Sequence, residues 1–123
     1  MISVDSYGWI ERFTNGPKAD IYNAVIEKAT PSEIVTSAMV LYEVYKKIKQ
    51  AVNEQCALET VVAIGQTFVV PVDQSLSLEA ADYSLMFGLH MANALVYATA
   101  RHYGAELYTS DEDLKGVKGV VFI

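Results

Sequence analysis

Short β-type runs alternating with amphipathic helical stretches constrain this chain more than any other feature. Ile2 to Val4 ends at Asp5, Glu33 to Thr36 follows a Thr30-Pro31-Ser32 break, and Thr67 to Val70 ends at Pro71. Glu106 to Thr109 and Gly119 to Ile123 complete the set. Between the runs the spacing predicts helices. The first carries Tyr7, Trp9, Ile10 and Phe13 and stops at Asn15-Gly16. The second has Pro17 in its first turn, places Ile21, Ala24, Val25 and Lys28 at helical spacing, and ends near Ala29. Ser37 is read as the N-cap of a third helix reaching about Gln50. Asn53 to Gly65 then closes a helical hairpin. Leu78 to Phe87 and Met91 to Tyr103 follow, broken at Gly88, with Gly104 placed as the residue just past a helix end. Parallel strands need crossover connections, and a parallel sheet is covered on both faces. The pattern therefore predicts one three-layer α/β/α domain over residues 1–123, with a short, mostly parallel central sheet of four to five strands.

A chain of 123 residues can bury enough surface to fold without disulfides or a structural zinc. The single Cys56 is expected as a buried apolar filler among Ala51, Val52, Leu58 and Val62. Met1 to Ile10 carries no secretory pattern, and Val61 to Ile64 and Phe68 to Pro71 fall far short of the roughly 20 apolar residues a bilayer requires. A cytoplasmic protein without membrane contact is the expectation. A net charge of −6 argues against a general nucleic-acid coating protein, although a local basic rim could still serve a short segment.

In an open parallel sheet, ligands bind beyond the carboxyl ends of the strands. Asp5 follows the first strand and Asp111 the fourth; Glu43 lies in the second turn of the helix after strand two, and Asn93 in the first turn of the helix leading to strand four. Three acids and an amide can thus converge on one edge. Oxygen donors of that kind suit Mg²⁺ or Mn²⁺, and like-charge repulsion should raise the pKa of at least one carboxyl in the absence of metal. Each residue also has a plainer reading. Asp5 could cap a helix, Glu43 could pair with Lys46 or Lys47 on a solvated face, and Asp111 and Asp113 could belong to a solvated turn. A calcium loop is excluded, since Phe122 stands where a bidentate glutamate is needed. His90 and His102 are read as surface or capping residues.

Ser3-Val4-Asp5-Ser6-Tyr7-Gly8-Trp9-Ile10 resembles the V-D-S/T-x-x-W/F-I start of PIN domains, and Leu41-Tyr42-Glu43-Val44 resembles their glutamate-bearing helix. Leu89 to Ala100 is similar to their L-s-x-a-D-A-l-i-a-A-t-A segment, and Gly104 to Leu114 to G-a-x-L-v-T-x-D-x-D-f. The match spans essentially the whole chain, and its length and order resemble the VapC toxins of type II toxin–antitoxin pairs. The resemblance implies a Mg²⁺- or Mn²⁺-dependent endoribonuclease, usually a homodimer, acting on RNA and silenced by a VapB-like antitoxin. It implies Asp5, Glu43, Asp111 and position 93 as the catalytic and metal-holding set. Position 93 departs from the pattern, because Asn93 stands where an aspartate is normal. An inactivating replacement, a natural member with weakened activity, and activity sustained by Asp111 with Asp113 are the three readings of that departure. Thr109 and Ser6 are expected to hydrogen-bond site carboxylates, Asp113 to assist, and Lys46, Lys47 and Lys49 to line an RNA path. Arg12 and Arg101 are weaker candidates. Some of Tyr7, Trp9, Ile10, Phe13, Tyr22 and Tyr45 could form a partner groove. A PIN fold that binds antitoxin or RNA without useful activity is the alternative. A phosphorylatable receiver domain is disfavoured, because Thr67 to Pro71 supplies Asp73 only beyond a proline and no lysine follows the last strand.

Overall fold

In the computed structural model, which describes residues 1–123, β1 (Ile2–Val4) runs straight into α1 (Ser6–Thr14), followed by α2 (Ala19–Lys28). A 3-10 turn over Pro31–Glu33 precedes β2 (Val35–Ser37), then α3 (Ala38–Ala51), α4 (Glu54–Ile64) and β3 (Phe68–Val70). The chain continues through α5 (Gln74–Phe87), α6 (Met91–His102) and β4 (Glu106–Thr109). A second 3-10 turn over Glu112–Leu114 leads to β5 (Val120–Phe122).

β1, β4 and β5 form one parallel ladder and β2 and β3 another, joined by a parallel bridge between Ile2 and Ile34. The strand order is therefore β3-β2-β1-β4-β5, with helices on both faces in three layers, as the alternation predicted. Successive crossovers step outward from β1 to β2 to β3, then jump back to place β4 on the other side of β1. That reversal lies between β1 and β4, where such folds hold their ligands. No helix is long and apolar enough to cross a membrane.

The core is built from Val4, Val35, Val70 and Leu107 on the strands and Val40, Val44 and Ile48 at helical spacing on α3. In α6 every residue from Ala94 to Ala100 is buried. A stretch enclosed on all sides needs small side chains for close approach, which accounts for Ala94, Ala98 and Ala100.

Several boundaries and faces differ from expectation. The buried face of α2 is Ala19, Tyr22 and Ile26; Ile21 is 52% exposed and the Ile21-Ala24-Val25-Lys28 stripe lines an outer cavity with Met1 and Tyr108. Two apolar stripes ran along this helix, and Tyr22 decides between them because Gly8 leaves room for its ring. Pro17 lies in the turn before α2 rather than in its first turn. A capping box between Thr30 and Glu33 folds Pro31–Glu33 into the 3-10 turn, so β2 begins at Val35 instead of Glu33. α5 starts at Gln74 rather than Leu78, because Asp73 caps it by accepting from Leu76 N–H at 2.9 Å. Cys56 is half-buried, and Ala51, Val52, Leu58 and Val62 are exposed; the α3–α4 hairpin closes instead through Val44, Ile48, Ala57 and Ile64. Among the aromatic residues assigned to a partner groove, Trp9 and Tyr22 belong to the core, while Tyr7 and Phe13 remain exposed.

Candidate active site

Asp5 extends the β1–β4 ladder by one bond, its N–H donating to the Tyr108 carbonyl at 3.0 Å. Its side chain is 4% exposed and caps α1, accepting from Ser6 N–H on Oδ1 at 2.7 Å. Oδ2 accepts from the Thr109 hydroxyl at 2.7 Å. Capping and site membership are thus compatible at this residue, since a carboxylate has lone pairs beyond those two bonds.

Thr109, the last residue of β4, ties the two strand ends together: its Oγ1 also accepts from Asp111 N–H at 3.0 Å. Asp111 in turn accepts from Asp113 N–H on Oδ1 at 2.9 Å and from the Asn93 amide on Oδ2 at 3.1 Å. Asn93 therefore presents a donor to Asp111 where a carboxylate would present a second negative charge. Glu43, half-buried on α3, completes the wall.

These residues border one cleft of about 450 Å³, lined by Asp5, Glu43, Asn93 and Asp111 together with Ser6 and Ser110. Burial raises the Asp5 carboxyl above its ordinary pKa, opposed by the Thr109 and Ser6 hydrogen bonds and reinforced by the charge of Asp111. Burial also raises Glu43, and the charges of Asp5 and Asp111 push the same way against a bond from Ser6. Behind the cleft the Tyr22 hydroxyl meets Ser110 Oγ at 2.6 Å, and burial pushes the phenol up to about 12.

No three acidic, histidine or cysteine side chains stand close enough to enclose a bare metal ion. The carboxylate and amide oxygens that line the cleft are donors of the kind a hard cation such as Mg²⁺ accepts, with waters completing its shell. Asp5, Glu43 and Asp111 are the residues that could hold it, with the Asn93 carbonyl oxygen as a neutral donor.

The auxiliary residues divide. Ser6 and Thr109 touch Asp5 as expected. Asp113 is exposed and outside the cleft, because the 3-10 turn directs it to solvent; Glu112 borders the cleft in its place. Of the three lysines, Lys47 lies one turn from Glu43 and lines the adjoining cavity. Lys46 and Lys49 lie over the rings of Tyr42 and Tyr45, and Lys49 also reaches Glu54 at 3.6 Å. Arg12 is engaged by Asn23 and Glu27. His90 is exposed at the start of α6, and His102 pairs with Glu79 at 3.1 Å; neither lines the cleft. Sequence reasoning missed Glu112 and also Glu11, which is 8% exposed and accepts from Lys18 N–H at 3.3 Å. The only hint for Glu11 was Gly16, whose missing side chain leaves space for that carboxylate.

The family model for the PIN domain matches residues 2–120. Among solved structures, a toxin–antitoxin complex from Klebsiella pneumoniae is similar with a TM-score of 0.82 at 23% identity, covering 98% of this chain and 96% of that one. VapC20 of Mycobacterium tuberculosis, described as a Sarcin-Ricin loop cleaving toxin, gives 0.82 at 17% identity, covering 100% and 97%. VapBC2 from Rickettsia felis, bound to a DNA fragment from its promoter, gives 0.75 at 14% identity, covering 100% and 98%. No curated protein matches the sequence.

Proposed function

This chain belongs to the PIN domain family, and from that membership we propose that it is a VapC-like toxin, a divalent-metal-dependent endoribonuclease that hydrolyses RNA phosphodiesters in the cytoplasm. The observation that carries the reading is the meeting of Asp5, Glu43 and Asp111 in one cleft at the sheet's reversal point. Mg²⁺ or Mn²⁺ held there would supply positive charge for the phosphate and acidity for an attacking water.

The chain's own residues do the rest. Thr109 and Ser6 fix both oxygens of Asp5, so that its remaining lone pairs point from a rigid strand end. Glu43 has a raised pKa and stands at the cleft wall, where its carboxylate can take the proton of the attacking water. Asn93 orients Asp111 but leaves the site one negative charge short. Asn93→Asp is expected to tighten Mg²⁺ or Mn²⁺ binding about tenfold or more, in the range seen when groups around a metal are changed. Structured RNA incubated with the chain and with Asn93→Asp, in Mg²⁺ or Mn²⁺, tests the proposal. The Asn93→Asp chain should cleave, and adding Asp5→Ala should abolish it; no Asp5-dependent cleavage would sink the nuclease reading.

The Asn93–Asp111 hydrogen bond favours a second reading, a PIN fold that engages RNA or a VapB-like antitoxin with little activity of its own. In that case Asn93→Asp creates no activity while partner binding persists. Homodimer formation belongs to the same proposal, and the exposed Tyr7 and Phe13 are the first-helix aromatics available to an antitoxin helix.

A further inference from the structure

The acidic cleft does not end at Glu43. A second cavity of about 500 Å³ shares Ser6, Tyr7, Ile10 and Glu43 with it, so the two form one groove with the carboxylates at one end. The far end has different chemistry. Tyr7 is 43% exposed there although its ring is held in place, with Lys18 Nζ 5.5 Å from the ring centre and the Tyr22 ring centre 6.3 Å away. Lys18 is itself tethered to the Ile123 carbonyl at 3.0 Å. Ile10 and Pro17 add apolar wall, and exposed Lys47 stands at the rim. Glu11 is buried at the inner end, an acceptor that repels phosphate but can receive the N–H groups of a base.

We propose that this cavity is a subsite for the RNA nucleotide flanking the cleaved phosphodiester, its base stacked on Tyr7 and its phosphate on Lys47. The inference rests on the ribonuclease reading above. A fixed but open aromatic ring is a stacking platform that accepts any base, and the burial pattern sorts the nucleotide: charge outward to Lys47, base inward toward Glu11. The cavity volume lies within the range of small-ligand sites.

The test uses the full chain and a fluorescein-labelled single-stranded hexaribonucleotide of mixed sequence in Mg²⁺. Binding is read by anisotropy, and RNA integrity is checked on a gel. Tyr7→Ala should weaken binding about tenfold, within the range for loss of one base–aromatic stack, and Tyr7→Trp should restore it. Lys47→Ala should weaken binding several-fold and lower the slope of log affinity against log salt by about 0.7, the value for one phosphate contact on a single strand. Lys28→Ala, in a separate cavity that shares no residue with the subsite, should change neither. A hexamer of abasic sugar-phosphates should bind parent and Tyr7→Ala equally.

The subsite is overturned if the parent chain binds no hexamer, if Tyr7→Ala and Lys47→Ala bind it as tightly as the parent, or if the abasic chain binds as well as the RNA. Should Asn93→Asp cleave RNA in those cases, the subsite alone falls. If Asn93→Asp shows no Asp5-dependent cleavage, the ribonuclease reading falls first and takes the subsite with it.

Discussion

Burial disfavours the charge on Asp5 and the neighbouring Asp111 adds to the effect, so this carboxyl keeps its proton to a higher pH in the folded chain than in the unfolded one. Between the two pKa values the folded state binds more protons, and stability falls as pH rises across that interval. Above it the loss persists in full. Asp5→Asn keeps an oxygen for Ser6 N–H, while the Thr109 hydroxyl can turn to accept from the new amide. In metal-free buffer this variant should therefore melt above the parent at pH 8, by a margin that shrinks as pH drops toward the ordinary carboxylate range. A variant melting below the parent at pH 8 would contradict that account. The opposite change is expected at position 93. Asn93→Asp replaces a donor 3.1 Å from Asp111 with a like charge and should cost about 1–3 kcal/mol in metal-free urea denaturation. Asp5, Glu43, Asn93 and Asp111 were legible in the sequence because each sits at a strand end or a fixed turn of a recognisable helix. Glu112, Asp113 and Glu11 were not. A 3-10 turn chooses between the first two, and Gly16, five residues away across a turn, makes room for the third.

Gly8 and Gly104 test two different reasons for glycine. A Cβ on Gly8 would stand 2.5 Å from the Tyr22 ring and 2.6 Å from Val4 Cγ1, so α1 could no longer lie where it does over β1 and α2. Gly8→Ala is expected to cost about 1–3 kcal/mol by overpacking, and it should also weaken cation binding, because Asp5 caps α1. Gly104 has open space around it but a φ of +67° as the chain leaves α6. Gly104→Ala should cost only about 1 kcal/mol, from left-handed strain alone, and leave cation binding untouched. Denaturant midpoints with and without Mg²⁺ separate the two. The helices themselves were readable from periodicity, and so was the strand–helix alternation. Periodicity could not say which of two stripes on α2 faces inward, because the answer lies in a contact with Gly8 on another helix. Nor could apolar spacing find the first turn of α5, where Asp73, Gln74 and Ser75 are polar and a cap rather than packing sets the start.

The order β3-β2-β1-β4-β5 puts the two acids that follow β1 and β4 side by side at the chain's one reversal, although they are separated by most of its length. Thr109 connects them through a bond spanning 104 residues, so folding itself assembles a set of carboxylates whose mutual repulsion weakens the fold that creates it. Such an arrangement is relieved by a cation binding the folded state alone, and mass action then sets the size of the effect. At one hundred times its dissociation constant, Mg²⁺ or Mn²⁺ should add about 2.7 kcal/mol to stability. The midpoint of thermal unfolding should rise with cation concentration logarithmically once the site is filled, and the rise should be lost in Asp5→Ala. The same titration should reverse the ranking at pH 8: without cation Asp5→Asn is the more stable chain, and with it the parent overtakes. A cation effect equal in Asp5→Ala and the parent would instead mean general screening of a chain with net charge −6, with no site at the reversal.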